Sequence, residues 1–394
     1  MILTRRTLLG RAALTGVVAL SPHLAFAATG GGDARFVFII LRGAMDGMNA
    51  VMPVGDPHYA ALRGALAHAP GDAAPVSLDA IFALHPAMPR FAAMYAARQA
   101  LVVHAVASPY RERSHFDAQN VLETGGTAAY ALKDGWLNRL VAALPAGRDP
   151  AIAIAATVPM ALRGTAPVTS YAPSALPQAN DDLLHRINDL YERDPLLHPL
   201  WAEAMDARTL AQSQAAGGDG GANGKNGANP AALGKLAAQF LGRPGGPRIA
   251  VIELLGWDTH AAQAGRLANQ LRQLDAVFAA LQDNLGPAWR TTTVLAATEF
   301  GRTAAVNGTG GTDHGTGGAA FMAGGAVNGG RVVADWPGLS GSQLYENRDL
   351  RPTTDLRAVM LGAAAGSFGV DPARLSAALF AGAGVRPVEG LVRA

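Results

Sequence analysis

Four uninterrupted apolar runs punctuate the chain: Arg35–Leu41, Leu101–Val106, Arg248–Leu255 and Thr292–Ala297. They are rich in β-branched and aromatic residues and show no polar alternation. A strand that is apolar on both faces must be covered on both faces, so these runs predict buried strands of a parallel sheet. Ala151–Ala155 and Phe321–Ala323 read as weaker or shorter strands. The clearest helical pattern is Leu267, Leu271, Leu274, Phe278, Leu281 and Leu285, a three-four spacing that makes one apolar stripe. Gly286 is placed to end it. Further helices are expected from about Asp117 through Leu122, over 181–214 with breaks near Pro195 and Pro199, and at about 354–364 and 371–381. Strands alternating with helices predict an α/β fold, a mostly parallel central sheet sandwiched by helices.

Two segments fall outside this pattern. Residues 215–229 are mostly Gly, Ala and Asn, which predicts a flexible surface insertion, because the runs on both sides are needed to complete one sheet. Residues 1–27 carry Thr4-Arg5-Arg6-Thr7-Leu8-Leu9, a short apolar run from about Ala12 to Leu20, and Ala25-Phe26-Ala27 before a cleavage point. That tripartite order is a signal peptide, and the paired arginines point to the twin-arginine translocase as the export partner. The apolar run is too short for a stable membrane span. The expected organisation is therefore a leader, 1–27, and one α/β domain, 28–394, in the periplasm or secreted. Export in the folded state suits a protein that takes up a cofactor first.

Composition narrows the function classes. With 49% hydrophobic and 16% charged residues among 394, the chain is neither disordered nor strongly solvated. Removing Arg5, Arg6 and Arg11 with the leader turns the formal charge from +2 to −1, and no basic patch with interleaved aromatics is visible. Nucleic acid is not an expected partner. There is no cysteine, which excludes disulfides, zinc ribbons and cysteine nucleophiles.

The polar residues that could do chemistry follow the apolar runs. Asp46 comes after the first, Ser114, His115 and Asp117 after the second, Asp258 and His260 after the third, and Glu299, then His314, after the fourth. In an open parallel sheet all strands end on one edge, and ligands bind there. Carboxylates and neutral imidazoles are the donors that a divalent metal takes, zinc among the candidates. Asp46, Asp258, His260, Glu299 and His314 are the candidate ligands; such a metal polarises a phosphoryl or sulfuryl oxygen, with Ser114 the candidate nucleophile beside it and His115 and Asp117 the other candidate catalytic residues. Each residue also has a plainer explanation. Asp46 before Gly47 could make a turn, Ser114 and Asp117 could cap a helix, and Glu299 could pair with Arg302. His104 and His85 read as structural. The run Gly308–Gly318 lacks the Lys-Ser/Thr ending of a phosphate loop, and neither a serine-hydrolase elbow nor a dinucleotide turn is present.

Six stretches together resemble a bacterial family of twin-arginine-exported proteins of unknown function within the alkaline phosphatase and sulfatase superfamily. They are Leu41–Asn49, Leu84–Met88, Ser114–Gln119, Trp257–His260, Thr298–Arg302 and Gly311–Gly315. The resemblance implies an alkaline phosphatase-like sheet with a metal crevice at the strand ends. It implies metal ligands at Asp46, Asp258, His260 and His314, and a hydroxyl nucleophile at Ser114. The hydrolases of that superfamily have an Asp-His pair where this chain has Glu299-Phe300, and Phe300 cannot ligate a metal. Two functions follow as expectations: a metal-dependent hydrolase acting on a small anionic phosphate or sulfate ester, or a non-catalytic periplasmic protein that binds a ligand or partner. A structural envelope role has little to support it, since no repeats appear.

Overall fold

The computed structural model describes residues 33–67, 74–145, 151–172, 181–202, 204–205, 229–380 and 383–393. The leader, and all of the predicted 215–229 insertion except Asn229, lie outside them. Among the described residues one sheet has nine strands: β1 (Arg35–Arg42), β2 (Ala100–Ala107), β3 (Ala151–Ile154), β4 (Thr169–Ser170), β5 (Ile249–Leu255), β6 (Thr292–Thr298), β7 (Gly318–Ala323), β8 (Arg331–Val333) and β9 (Thr354–Asp355). Their order is β8-β2-β7-β6-β1-β5-β3-β4, with β9 also on β2. Every ladder is parallel except the two that β7 makes with β2 and β6. The predicted short strand at 321–323 is thus longer, central and antiparallel. The chain leaves β6 at one edge, loops at that edge and re-enters beside it, which forces the reversed direction.

Strand β1 shows why the apolar runs do not alternate. Val37, Ile39 and Leu41 pack into one core layer, Phe36, Phe38 and Ile40 into the other, and all six are fully buried. Helices α1 (Pro89–Ala96), α4 (Pro230–Gly242) and α5 (Gln263–Leu285) cover the first face. Helices α3 (Trp136–Ala143), α6 (Leu356–Phe368) and α7 (Pro372–Leu379) cover the second, while α2 (His115–Thr124) lies at the sheet edge. The stripe from Leu267 to Leu285 faces the sheet along its whole length. Each fully buried Leu or Phe contributes about 1.5–3 kcal/mol, so this stripe alone clamps α5 to the sheet. Its end at Gly286 falls where the sequence places it.

On the flanks, Val51–Met52, Ala83–Leu84 and Val76–Ser77 form a small three-stranded sheet. His104 of β2 is buried against it. Its Nε2 bonds the Val51 carbonyl at 3.0 Å, and its ring stacks on Phe82 at 4.9 Å. No described helix is long and apolar enough to cross a membrane.

Candidate functional site: a histidine–carboxylate cluster at the sheet edge

Strands β1, β2, β5 and β6 run in one direction, so the loops after them share one rim, and the loop 299–317 turns there before β7. Glycine lets the loops touch. Gly43, at φ +117°, lies so close to the next loop that a Cβ there would stand 2.6 Å from the Asp258 backbone nitrogen. Gly315 is similar, with its missing Cβ 2.3 Å from the Arg302 carbonyl carbon. A larger residue at either point would push Asp258 or His314 away from the rim.

The rim gathers His115, Asp258, His260 and His314. His260 Nε2 and His314 Nε2 are 3.0 Å apart, and they stand 3.1 and 3.4 Å from Asp258 Oδ1. His115 Nε2 is 3.5 Å from Asp258 Oδ2. One ligand atom each from His115, Asp258 and His314 lies within 4.8 Å of the others.

Each imidazole is oriented from behind. His115 Nδ1 donates to Glu299 Oε1 at 2.8 Å, His260 Nδ1 to Asp313 Oδ1 at 3.0 Å, and His314 Nδ1 to the Arg113 carbonyl at 2.9 Å. Those acceptors have no proton to give, so in each neutral ring the proton sits on Nδ1 and the Nε2 lone pair faces the cluster. His115 Nε2 is buried and has no hydrogen-bond partner among the described residues. Three lone pairs and a carboxylate converging on one another leave a place that only a proton or a cation fills. Ligand bonds near 2 Å in a tetrahedral site put donor atoms about 3.3 Å apart, close to the separations among Asp258, His260 and His314. Carboxylate or carbonyl partners on the far nitrogen are also what metal-bound histidines have. The donor set fits a divalent metal.

Glu299 is fully buried, and besides His115 it accepts from Gly43 N at 2.9 Å and Gln119 Nε2 at 3.1 Å. Burial alone would raise its pKa, but these donors outweigh burial and hold it below the usual carboxylate range. Through its bond to Glu299, His115 has a raised pKa. Burial and the neighbouring His115 lower that of His314. Asp258 is held low although burial opposes it, because Arg302, His260 and His115 surround it. Phe300 is the floor of the site. Its ring stacks on His115 at 5.0 Å and contacts His314 at 5.2 Å.

Not every candidate joins the cluster. Asp46 is buried and already holds a cation: Arg63 Nη1 and Nη2 fork onto its two oxygens at 2.7 and 2.8 Å. It also accepts from Asn49 N and Gln263 Nε2. With both oxygens committed, Asp46 anchors the core, and His115, expected to be catalytic, stands among the potential ligands instead. Glu299 does not pair with Arg302; Arg302 Nη2 donates to Asp258 Oδ1 at 2.6 Å. Glu299 supports His115 rather than offering a free oxygen. Ser114 is the N-cap residue of α2, but its side chain makes no capping bond. Near it, the Tyr110 hydroxyl donates to Asp117 Oδ2 at 3.3 Å. The residues that sequence reasoning passed over are Arg63, Gln119, Arg302 as the partner of Asp258, and Asp313 as the support of His260. Of these, Gln119, Arg302 and Asp313 lie inside the motif stretches, a signal available from the start. Nothing about Arg63 in its Leu62-Arg63-Gly64 setting marks it.

Fold and rim together define an α/β protein with a three-histidine, one-aspartate cluster at the carboxyl ends of its parallel strands. The chain belongs to the family described as protein of unknown function (DUF1501), which matches residues 88–380. It is also similar to several solved structures. One is the C-terminal periplasmic domain of EcEptC from Escherichia coli in complex with Zn, 11% identical, covering 74% of this chain and 73% of that one with a TM-score of 0.35. A second is BT1596, a 2-O GAG sulfatase, 10% identical over 86% and 71% of the two chains with a TM-score of 0.42. A third is the phosphonate monoester hydrolase of Agrobacterium radiobacter, 12% identical over 76% and 70% with a TM-score of 0.31. No curated protein matches the chain.

Proposed function

We propose that this chain is an exported, metal-dependent hydrolase of phosphate or sulfate esters, with one divalent metal, zinc the leading candidate, held by His115, Asp258, His260 and His314. The observation that carries the reading is the set of three Nε2 lone pairs aimed at Asp258, each ring fixed by an acceptor on Nδ1. A metal bound there supplies the positive charge that polarises a phosphoryl or sulfuryl oxygen and acidifies a nearby hydroxyl. The chain's own residues do the rest. Glu299, Asp313 and the Arg113 carbonyl keep the imidazoles aimed, with each Nε2 turned toward Asp258. Phe300 closes the floor against water. Arg113, in the left-handed region at φ +62°, is pinned by its Nε bond to Asp349 at 2.9 Å, which fixes the carbonyl that His314 uses. Ser114 is the proposed nucleophile. A carboxylate that could take its proton lies nearby in Asp117, to which the Tyr110 hydroxyl next to Ser114 donates at 3.3 Å.

A second reading is a non-catalytic protein that binds a ligand or partner on the same fold. It is favoured by Arg302 holding Asp258 Oδ1, the oxygen a metal would use, at 2.6 Å. The two readings separate in one experiment. Protein purified after its own export is analysed for metal and assayed on a panel of phosphate and sulfate esters. The hydrolase reading expects one equivalent of divalent metal, lost in His260→Ala, and turnover lost in Ser114→Ala. Metal-free protein with no turnover leaves the binding role.

A further inference from the structure

Around Asp258 Oδ1 stand one donor and two acceptors. Arg302 Nη2 donates to it at 2.6 Å, while the lone pairs of His260 and His314 stand 3.1 and 3.4 Å away. The Arg302 side chain is 0% exposed, whereas that of Asp258 is 44% exposed. The guanidinium therefore lies behind the cluster, and the opening to solvent lies in front of it. Guanidinium does not lose its proton in a protein, so this is a permanent positive charge on the oxygen a metal would use. Its remaining donors are underused. Nη1 reaches only His260 Nε2, at 3.5 Å, and Nε is buried without a partner among the described residues. Two cations sharing one carboxylate oxygen at this range repel each other, and on the buried Arg302 side little water screens them.

We propose, resting on the metal reading above, that Arg302 competes with the metal for Asp258: it lowers the metal affinity of the cluster and substitutes for the cation while the metal is absent. The cluster then exchanges metal readily and stays folded when empty. An arginine that only oriented Asp258 would act in the opposite direction. Loss of an orienting partner loosens metal binding by about 10–100-fold. Loss of a competing charge tightens it, so the sign of the change separates the two roles.

The test is the zinc affinity of the mature protein, measured by competition with a chromogenic chelator, for wild type, Arg302→Met and Arg302→Lys. Competition predicts that Arg302→Met binds zinc tighter by about tenfold or more, the low end of the usual partner effect with its sign reversed. Arg302→Lys, which keeps the charge, should stay near wild type. Equal or weaker binding by Arg302→Met overturns the proposal and leaves the metal reading intact. Should Arg302→Met fail to fold alone, zinc added during refolding is expected to restore it and to raise its Tm more than that of wild type; no rescue overturns the proposal as well. Zinc binding by Arg302→Met but not by wild type would support the competition and revise the metal reading. Absence of binding in both would end both.

Discussion

Two aspartates of this protein are each gripped by an arginine, and they have opposite surroundings. Asp46 and Arg63 are 1% and 0% exposed and forked together; Asn49 N and Gln263 Nε2 also donate to the carboxylate and Thr312 Oγ1 stands 3.4 Å from it, while Arg63 Nε, like Arg302 Nε, is buried without a partner among the described residues. Asp258 and Arg302 meet through one nitrogen at the open rim, among imidazole lone pairs whose one donor is Arg302 Nη1, 3.5 Å from His260 Nε2. The same ion pair is a finished structural element in one place and an unfinished site in the other. The two are joined: Thr259 and Thr312, beside His260 and Asp313, both donate to Gln263 Oε1, whose amide holds Asp46. The closed pair thus seats the two loops that carry the open one.

The largest expected effect breaks the closed pair. Arg63→Ala leaves a buried carboxylate alone and should cost about 3–5 kcal/mol in urea unfolding. His260→Ala at the open rim should shift metal-free stability by less than about 1 kcal/mol. Similar losses at both positions would erase the contrast.

His104 tests a second closed position through pH. Burial lowers its pKa to about 4, although its bond to Val51 opposes this. A neutral histidine in the fold binds its proton more weakly than in the unfolded chain, where its pKa is about 6.5. Its contribution is fully present above pH 6.5 and is lost as pH falls toward 4, by about 3 kcal/mol at 1.36 kcal/mol per unit. Between pH 7 and pH 4, the stability of wild type should therefore fall more steeply than that of His104→Asn. Parallel curves would show that His104 is not buried neutral.

At the rim, Glu299→Gln should weaken zinc binding by about 10–100-fold, through the orientation of His115. Unchanged affinity in a chelator titration would remove Glu299 from the support of the site. The smallest effect is expected of Ser114→Ala, which breaks no capping bond and should change stability by about 0.5 kcal/mol or less while abolishing ester turnover. A large loss of stability would show that the serine is structural.

Much of the fold was legible in advance because burial leaves a periodic trace. Unbroken apolar runs marked β1, β2, β5 and β6, and the Leu267–Leu285 stripe marked α5, since a residue facing the core has to be apolar. The direction of β7 left no such trace; it follows from where the loop after β6 turns. Site residues were legible as types following strands, yet their roles were not. Asp46 and Asp258 look alike in the chain, each an acid after a strand, and only the arrival of Arg63 or of three imidazoles tells them apart. Phe300, which reads as a missing ligand, is the surface on which two imidazoles rest.

By itself, then, the sequence determined the alternation of strand and helix, the common edge to which polar residues are delivered, and which residue types are there to bind. Tertiary structure decided the pairings: which carboxylate is neutralised by an arginine, which nitrogen of each histidine keeps its proton, and which lone pairs are left to meet. Hydrophobic burial is a property of one position and its period along the chain. Electrostatic pairing depends on distances of a few ångströms between residues up to 266 positions apart, as for Asp46 and Thr312, and only the folded chain sets those distances.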